Sequence, residues 1–266
     1  ITWNINGCGN PIKRKKVLSH LKHKHVDVAF VQKSHLTDNE ALKFKRDWVG
    51  QVFHSSFSSK QNGVMILIHK RLNFVMLTET KDDMGRIICI EALINGVKVI
   101  LCNIYAPNKA DPGFVHEVNK ILGERGGQII LAGDFNQVMD GVLDKSKYQG
   151  SSMPRDRAAL HMLTEDFGLI DIWRLVNPRE REYTFYSHCH KSHSRIDFFL
   201  LSNSITDQVV NCKIGALVLS DHAAVELDIA LNTEAGRRGR WRLNTALLQD
   251  EEFSKLLADD LTSFFE

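Results

Sequence analysis

Apolar residues recur along the chain with two different periods. Val26–Gln32 and Val64–His69 (VMILIH) are short, nearly continuous apolar runs, the pattern of buried strands. Within the basic stretch Ile12–His25, Val17, Leu18 and Leu21 keep helical spacing instead. A first strand over Ile1–Ile5 stops at Asn6-Gly7, and a short helix is predicted near Asp38–Phe44. Ile87–Ile94 and Val97–Tyr105 flank Asn95-Gly96, which supplies the positive φ of a two-residue turn and so predicts a hairpin. Phe114, Val115, Val118, Ile121 and Leu122 mark one helix face; Leu160, Leu163 and Phe167 mark another. The strand Gln128–Ala132 runs into Gly-Asp, and shorter strands are predicted at Tyr183–Tyr186, Ile196–Leu201, Gln208–Ile214 and Ala223–Leu231. Hairpins mixed with helix-connected strands predict mixed sheets with helices outside, an α/β (or α+β) sandwich.

The pattern changes near Asn232. Glu234–Arg242 holds Arg237, Arg238, Arg240 and Arg242 with two glycines, and Phe253, Leu256, Leu257, Leu261, Phe264 and Phe265 then repeat as an amphipathic helix. The expected organisation is one domain over 1–231 and a basic linker with a helix over 232–266. One short helix buries little alone, so this one calls for a partner. The opening Ile1-Thr2-Trp3 is strand-like and lacks an initiator Met, which reads as a fragment cut at or inside its first strand.

At 266 residues, 43% hydrophobic and 25% charged, the chain has an ordinary globular composition, which argues against disordered and fibrous architectures. No apolar run reaches the roughly 18 residues of a membrane span. The net charge of +2 means that any basic surface for nucleic acid is local. Five scattered cysteines without a CxxC pair predict reduced, mostly buried thiols and an intracellular context.

Candidate chemistry sits where strands stop. Asn4 and Asn6 end the first strand, and Gln32-Lys33-Ser34-His35 ends the second. Tyr105 to Asn108, Gly133-Asp134-Phe135-Asn136, Thr184, Ser194 to Asp197 and Ser220-Asp221-His222 complete the set. Each fragment alone suits a turn. Together Asp134, Asn136, Asp197, Asp221 and His222 supply carboxylates, an amide and an imidazole, the parts for a hard cation, an activated water and a phosphate donor.

In order, WNING, VQKSHL, NIYAPN, GDFN, TFYS, SRIDFFL and LSDHAAV resemble the endonuclease–exonuclease–phosphatase superfamily over about residues 1–231. More narrowly, they are similar to the endonuclease domain of LINE-type non-LTR retrotransposon proteins. The resemblance implies a four-layered sandwich of two mixed sheets flanked by helices. It implies DNA as substrate, Mg²⁺ (or Mn²⁺) as cofactor, and 3′-hydroxyl and 5′-phosphate products. It also implies a reverse transcriptase domain in the same polyprotein, no membrane partner, a monomeric fragment and action in the nucleus. By position, Asp134 would orient or deprotonate water beside Asn136, and His222, polarised by Asp197, would contact the phosphate. Tyr105 and Asn4 would hold the phosphate or the other catalytic groups. Asn6 and Asp221 would lie at or near the metal, and Thr184 and Ser194 would line the DNA-facing rim.

One position departs. The family's second motif reads Gln-Glu-Thr-His-Leu and its Glu is the metal ligand; here Lys33 stands at that place. An ammonium offers no lone pair to a cation and repels it. Decay or inactivation explains this better than rescue by Lys33, so the expectation is a retained fold with weakened nicking. Rival readings are an exodeoxyribonuclease III-like or abasic-site endonuclease, a phosphatase of lipid or inositol, and an inactive nucleic-acid-binding remnant. His188, Cys189, His190 and His193 fit no standard zinc spacing, which favours a loop near DNA. Lys13 to Lys16 read as a solvated helix face. The Arg237–Arg242 cluster with Trp241 reads equally as linker or as nucleic-acid contact.

Overall fold

The computed structural model describes residues 1–109, 111–147 and 154–231, and, beyond these, 254–256, 258 and 262. The predicted Arg-rich linker and most of the helix face after it, including Phe253, Leu257, Leu261, Phe264 and Phe265, lie outside the described residues. Ser254–Leu256, Ala258 and Thr262 are helical. Contacts divide the chain into two units, Ile1–Thr233 and Glu234–Glu266.

The first unit begins with β1 (Thr2–Asn4), α1 (Pro11–His23), β2 (Val28–Gln32), α2 (Asp38–Asp47), β3 (Gly50–Ser55) and β4 (Val64–His69). It continues with β5 (Phe74–Lys81), β6 (Ile87–Ile94), β7 (Val97–Tyr105), α3 (Pro112–Gly123), β8 (Gln128–Asp134) and α4 (Arg155–Asp166). After β9 (Leu169–Asp171) and α5 (Ile172–Val176) come a hairpin of β10 (Phe185–Ser187) and β11 (Ser192–Ser194), then β12 (Asp197–Ser202). A 3₁₀ turn over Asn203–Gln208 leads into β13 (Val209–Ile214) and β14 (Val225–Ile229).

Two six-stranded sheets result, in the orders β13-β14-β1-β2-β4-β3 and β5-β6-β7-β8-β12-β9. The pairs β1–β2 and β7–β8 are parallel, and every other pair among these strands is antiparallel. Strand alternation explains the layers. In β2, Ala29 and Val31 pack in the cluster that holds Val17, Leu18 and Leu21 of α1 and Phe44 of α2. Phe30 points the other way, meeting Phe199 of β12 edge-on at 5.8 Å between centroids. In β8, Ile130 and Ala132 join the inter-sheet core, and Ile129 and Leu131 pack with Phe114, Val118, Leu160 and Leu163 of α3 and α4. The outcome is the four-layered sandwich of helices, sheet, sheet and helices that the motifs implied.

Asn95 (φ 50°) and Gly96 (φ 83°) form the predicted turn between β6 and β7. Gly133 is required by close approach: at φ 151°, a Cβ there would lie 2.0 Å from the Ile104 carbonyl oxygen of β7. β3 and β5 escape the hydrophobic pattern. β5 leaves Val75, Met76 and Leu77 exposed and breaks register between Met76 and Thr78, so its apolar residues neither alternate nor bury. The strand predicted at Tyr183–Tyr186 forms at Phe185–Ser187. All five cysteines are free thiols, and Cys189 alone is exposed. Among the described residues, no helix is long and apolar enough to cross a membrane.

Candidate active site

The period of two that builds the core also builds the site. Asn4, Tyr105, Asp134 and Asp197 continue the inward-facing rows of β1, β7, β8 and β12 to the ends of those strands. Register sets them side by side: Tyr105 pairs with Asp134, and Asp134 with Asp197. On the facing sheet Asn4 pairs with Gln32. Where hydrophobic side chains would fill the gap between sheets, these positions carry polar groups, and they meet.

Asn4 joins the sheets. Its Nδ2 donates to Asp134 Oδ2 at 2.8 Å and lies 3.3 Å from His222 Nε2. Its Oδ1 accepts the Asn6 amide N–H at 3.1 Å, which fixes which way the amide points. His222 Nδ1 lies 2.8 Å from Asp197 Oδ2, and His222 Nε2 lies 3.9 Å from Asp134 Oδ2. The imidazole is clamped by its surroundings: Trp3 Nε1 donates to the His222 carbonyl, and Phe185 stacks on the ring at 4.6 Å. Asp134, Asp197 and Asn4 are fully buried, and His222 almost so.

Burial raises the Asp134 pKa to about 6, helped by the neighbouring Asp197 charge and opposed by His222 and Lys33. For His222, burial alone would lower the pKa. The Asp197 carboxylate, its hydrogen bond and Asp134 outweigh that and lift it to about 9. At neutral pH the ring is an imidazolium between two carboxylates. Nε2 accepts from Asn4 only when neutral; when charged it is a donor, 3.9 Å from Asp134 Oδ2. A carboxylate that ionises near neutrality beside a donor imidazolium is a pair suited to acid–base work.

Lys33 belongs to this cluster. It follows β2 in a left-handed conformation (φ 50°), as Asn6 (46°) and Asn136 (47°) follow β1 and β8. Asparagine accepts that conformation readily and lysine does not. The Lys33 ammonium sits over the Tyr105 ring, 5.2 Å from its centroid. Burial pushes the Tyr105 hydroxyl pKa up, partly offset by Lys33.

The remaining candidates separate. Asn136 accompanies Asp134, donating its backbone N–H to Oδ1 at 3.0 Å and its side-chain amide to the Ala106 carbonyl at 2.7 Å. Asn6 and Asp221 are exposed, and Asp221 accepts from Ser220 at 3.2 Å. Ser194 is half-buried at the end of β11. Thr184 is not on a rim: at 1% exposure, its Oγ accepts the backbone N–H groups of Ile196 and Asp197 and braces the start of β12 from below.

Asp134, Asp197 and His222 each offer a ligand atom, all within 4.8 Å, and so could hold a metal ion once His222 has lost its proton. Asp197 Oδ1 is buried with no hydrogen-bond partner among the described residues, an open acceptor such an ion could use. The end of β2 does not fit a hard cation, because Lys33 places a positive charge there.

Sequence reasoning assigned no role to two supports. Gln32 Nε2 donates to Asn103 Oδ1 at 2.7 Å and to Thr2 at 2.9 Å, so the sheets are bolted together one layer below the site. Arg195 is fully buried between Asp144 (2.8 Å) and Asp171 (2.6 Å), two residues before Asp197. Arg195 lies within the SRIDFFL motif, whereas Asp144 carries no local signal at all. His193, in the candidate zinc stretch, packs on Tyr183 and Tyr186, and His188 meets Tyr186 edge-on.

Residues 1–222 match the model of the endonuclease/exonuclease/phosphatase family. The chain belongs to that family. It is 28% identical over 268 residues to a Xenopus laevis protein described as "Transposon TX1 uncharacterized 149 kDa protein", covering 97% of this chain and 20% of that one. The chain thus spans about one fifth of that relative. A Bacillus subtilis exodeoxyribonuclease is 26% identical over 254 residues, covering 86% of this chain and 98% of the other. The crystal structure of the AP endonuclease LMAP from Leishmania major superposes with a TM-score of 0.68 at 17% identity, covering 85% of each chain. The fold is therefore that of the family. The resemblance read from the motifs holds for the superfamily, and a transposon protein is among the relatives. Family members typically depend on a divalent metal.

Proposed function

We propose that the 1–231 domain is a retroelement endonuclease that cleaves a phosphodiester of DNA to a 3′-hydroxyl and a 5′-phosphate, and that Lys33 leaves it severely weakened. What supports this most is the meeting of the Asp134–Asn4 and His222–Asp197 pairs at the shared end of both sheets, in a family with a transposon relative. Asp134, ionised above pH 6, orients and deprotonates the attacking water, with Asn136 beside it. His222, held charged by Asp197, donates to a phosphoryl oxygen. Asn4 keeps these two groups in register, and Tyr105 donates to the phosphate. Mg²⁺ or Mn²⁺, when bound near Asn6 and Asp221, would neutralise charge on the phosphoryl and leaving oxygens. Ser194 contributes to the rim against DNA, and Thr184 acts from beneath by fixing Asp197.

Residues 232–266 are read as the segment leading to a reverse transcriptase domain of the same polyprotein, which places its action at nuclear DNA. A second reading, a nucleic-acid-binding remnant without catalysis, is favoured by the Lys33–Tyr105 contact alone. Supercoiled plasmid, abasic duplex and a phosphoinositide, each incubated with the chain and Mg²⁺, test the reading. Slow nicking of intact plasmid that disappears in Asp134→Asn supports it. Turnover confined to the abasic duplex or the lipid headgroup overturns it.

A further inference from the structure

An open groove of about 470 Å³ is lined by Tyr105 but by none of Asn4, Asp134, Asp197 and His222. Its walls include Phe57, Lys60, Met84, Arg86 and Lys109; among the described residues no carboxylate lines it, and Asp111 reaches Arg86 from outside at 4.0 Å. Phe57 (44% exposed) and Met84 (45%) present an aromatic face and a thioether to solvent. Isolated apolar residues on a surface need no explanation. Here two of them share one groove with three cations.

The platform is held rigidly. Phe57 sits on the loop joining β3 to β4 and Met84 on the loop joining β5 to β6. Asn62 Nδ2 donates to the Met84 carbonyl at 2.9 Å, and Gly63 N–H to the Gly85 carbonyl at 2.8 Å. The first loop is tied in turn to the end of β2, where the Ser34 and His35 N–H groups donate to the Gly63 and Asn62 carbonyls at 2.9 and 3.0 Å. The segment that carries Lys33 therefore also carries this platform. Cations flanking an aromatic face suit a single nucleic-acid strand, whose phosphates need positive charge and whose unpaired bases need a surface on which to stack. A paired base offers no free face, so duplex DNA gains little from Phe57.

We propose that this groove is a subsite for one unpaired nucleotide adjoining the scissile phosphate, its base against Phe57 and Met84 and its backbone against Lys60, Arg86 and Lys109. The proposal rests on the DNA-nuclease reading and adds a preference for locally single-stranded DNA.

Binding of the full chain to a fluorescent duplex, fully paired or with a short single-stranded gap, tests it in EDTA, where no cleavage intervenes. The gapped duplex is expected to bind roughly tenfold more tightly, the scale of one base–aromatic stack. Phe57→Ala removes that preference and Phe57→Trp retains it. Lys60→Ala with Lys109→Ala lowers the slope of log K against log salt by about 1.4, at about 0.7 per lost strand contact. Binding to both duplexes without preference overturns this inference alone, as does a preference that survives Phe57→Ala. Binding to neither overturns the nuclease reading with it.

Discussion

The imidazole of His222 and the carboxylate of Asp197 meet at 2.8 Å although Asp197 opens β12 of one sheet and His222 lies on the segment that leads into β14 of the other. That contact is the main reason the ring stays charged well above its ordinary range. Asp197→Asn removes the anion while keeping the shape. The expected result is a His222 pKa well below about 9, read by NMR titration of the ring, with catalysis reduced at neutral pH. An unmoved titration would mean that Asp134 alone holds the charge.

Activity should follow a bell in pH. Asp134 must be ionised, so the rate rises through about 6; His222 must be charged, so it falls through about 9. Stability has a different sign at each group. The raised Asp134 pKa favours the folded state while that group is protonated, and this contribution is lost as pH rises through about 6. The raised His222 pKa stabilises fully below about 6.5 and is lost as pH rises through about 9. Urea unfolding midpoints across pH 5 to 10 should therefore decline, in contrast to a protein stabilised by lowered carboxylate pKa values.

Arg195 is expected to be the costliest charged residue to remove. Arg195→Leu removes the ion partner of Asp171 and leaves Asp144 paired with Arg174 alone, at a cost of about 3–5 kcal/mol. Chemical denaturation measures this directly. Because Arg195 precedes Asp197 by two residues, the variant should also lose activity in excess of its unfolded fraction.

Much of this was legible in the chain. Strands with continuous or alternating apolar runs, such as β2, β4, β6 and β7, appear in the sequence because both faces of each are buried. The strand-end polar residues were visible because a core row that ends in Asn4, Asp134 or Asp197 breaks the apolar pattern where a strand stops. β5 was not legible, since its outer residues remain exposed at a sheet edge. Thr184 shows the limit of residue type: a hydroxyl in a motif suggests a ligand contact, but this one is consumed by two backbone amides. The Arg195–Asp144–Asp171 network and the Phe57–Met84 platform join segments distant in sequence, and only tertiary structure brings them together.

Gly133→Ala tests the geometry that sets Asp134 beside Tyr105. The new methyl would meet the Ile104 carbonyl at 2.0 Å, so β7 and β8 must separate. The expected outcome is a destabilisation of about 2 kcal/mol or more, from strain at a special backbone position, with cleavage lost in whatever fraction still folds. Thermal unfolding and a nicking assay read the two effects.

The account turns on the ammonium at the end of β2. Supercoiled plasmid nicking with Mg²⁺, compared between this chain and Lys33→Glu, tests it most directly. Restoring the carboxylate is expected to raise the nicking rate by at least about a hundredfold, the upper end of what the loss of an outer-shell metal partner costs, since a direct ligand contributes more. Robust and equal nicking by the two chains would contradict it.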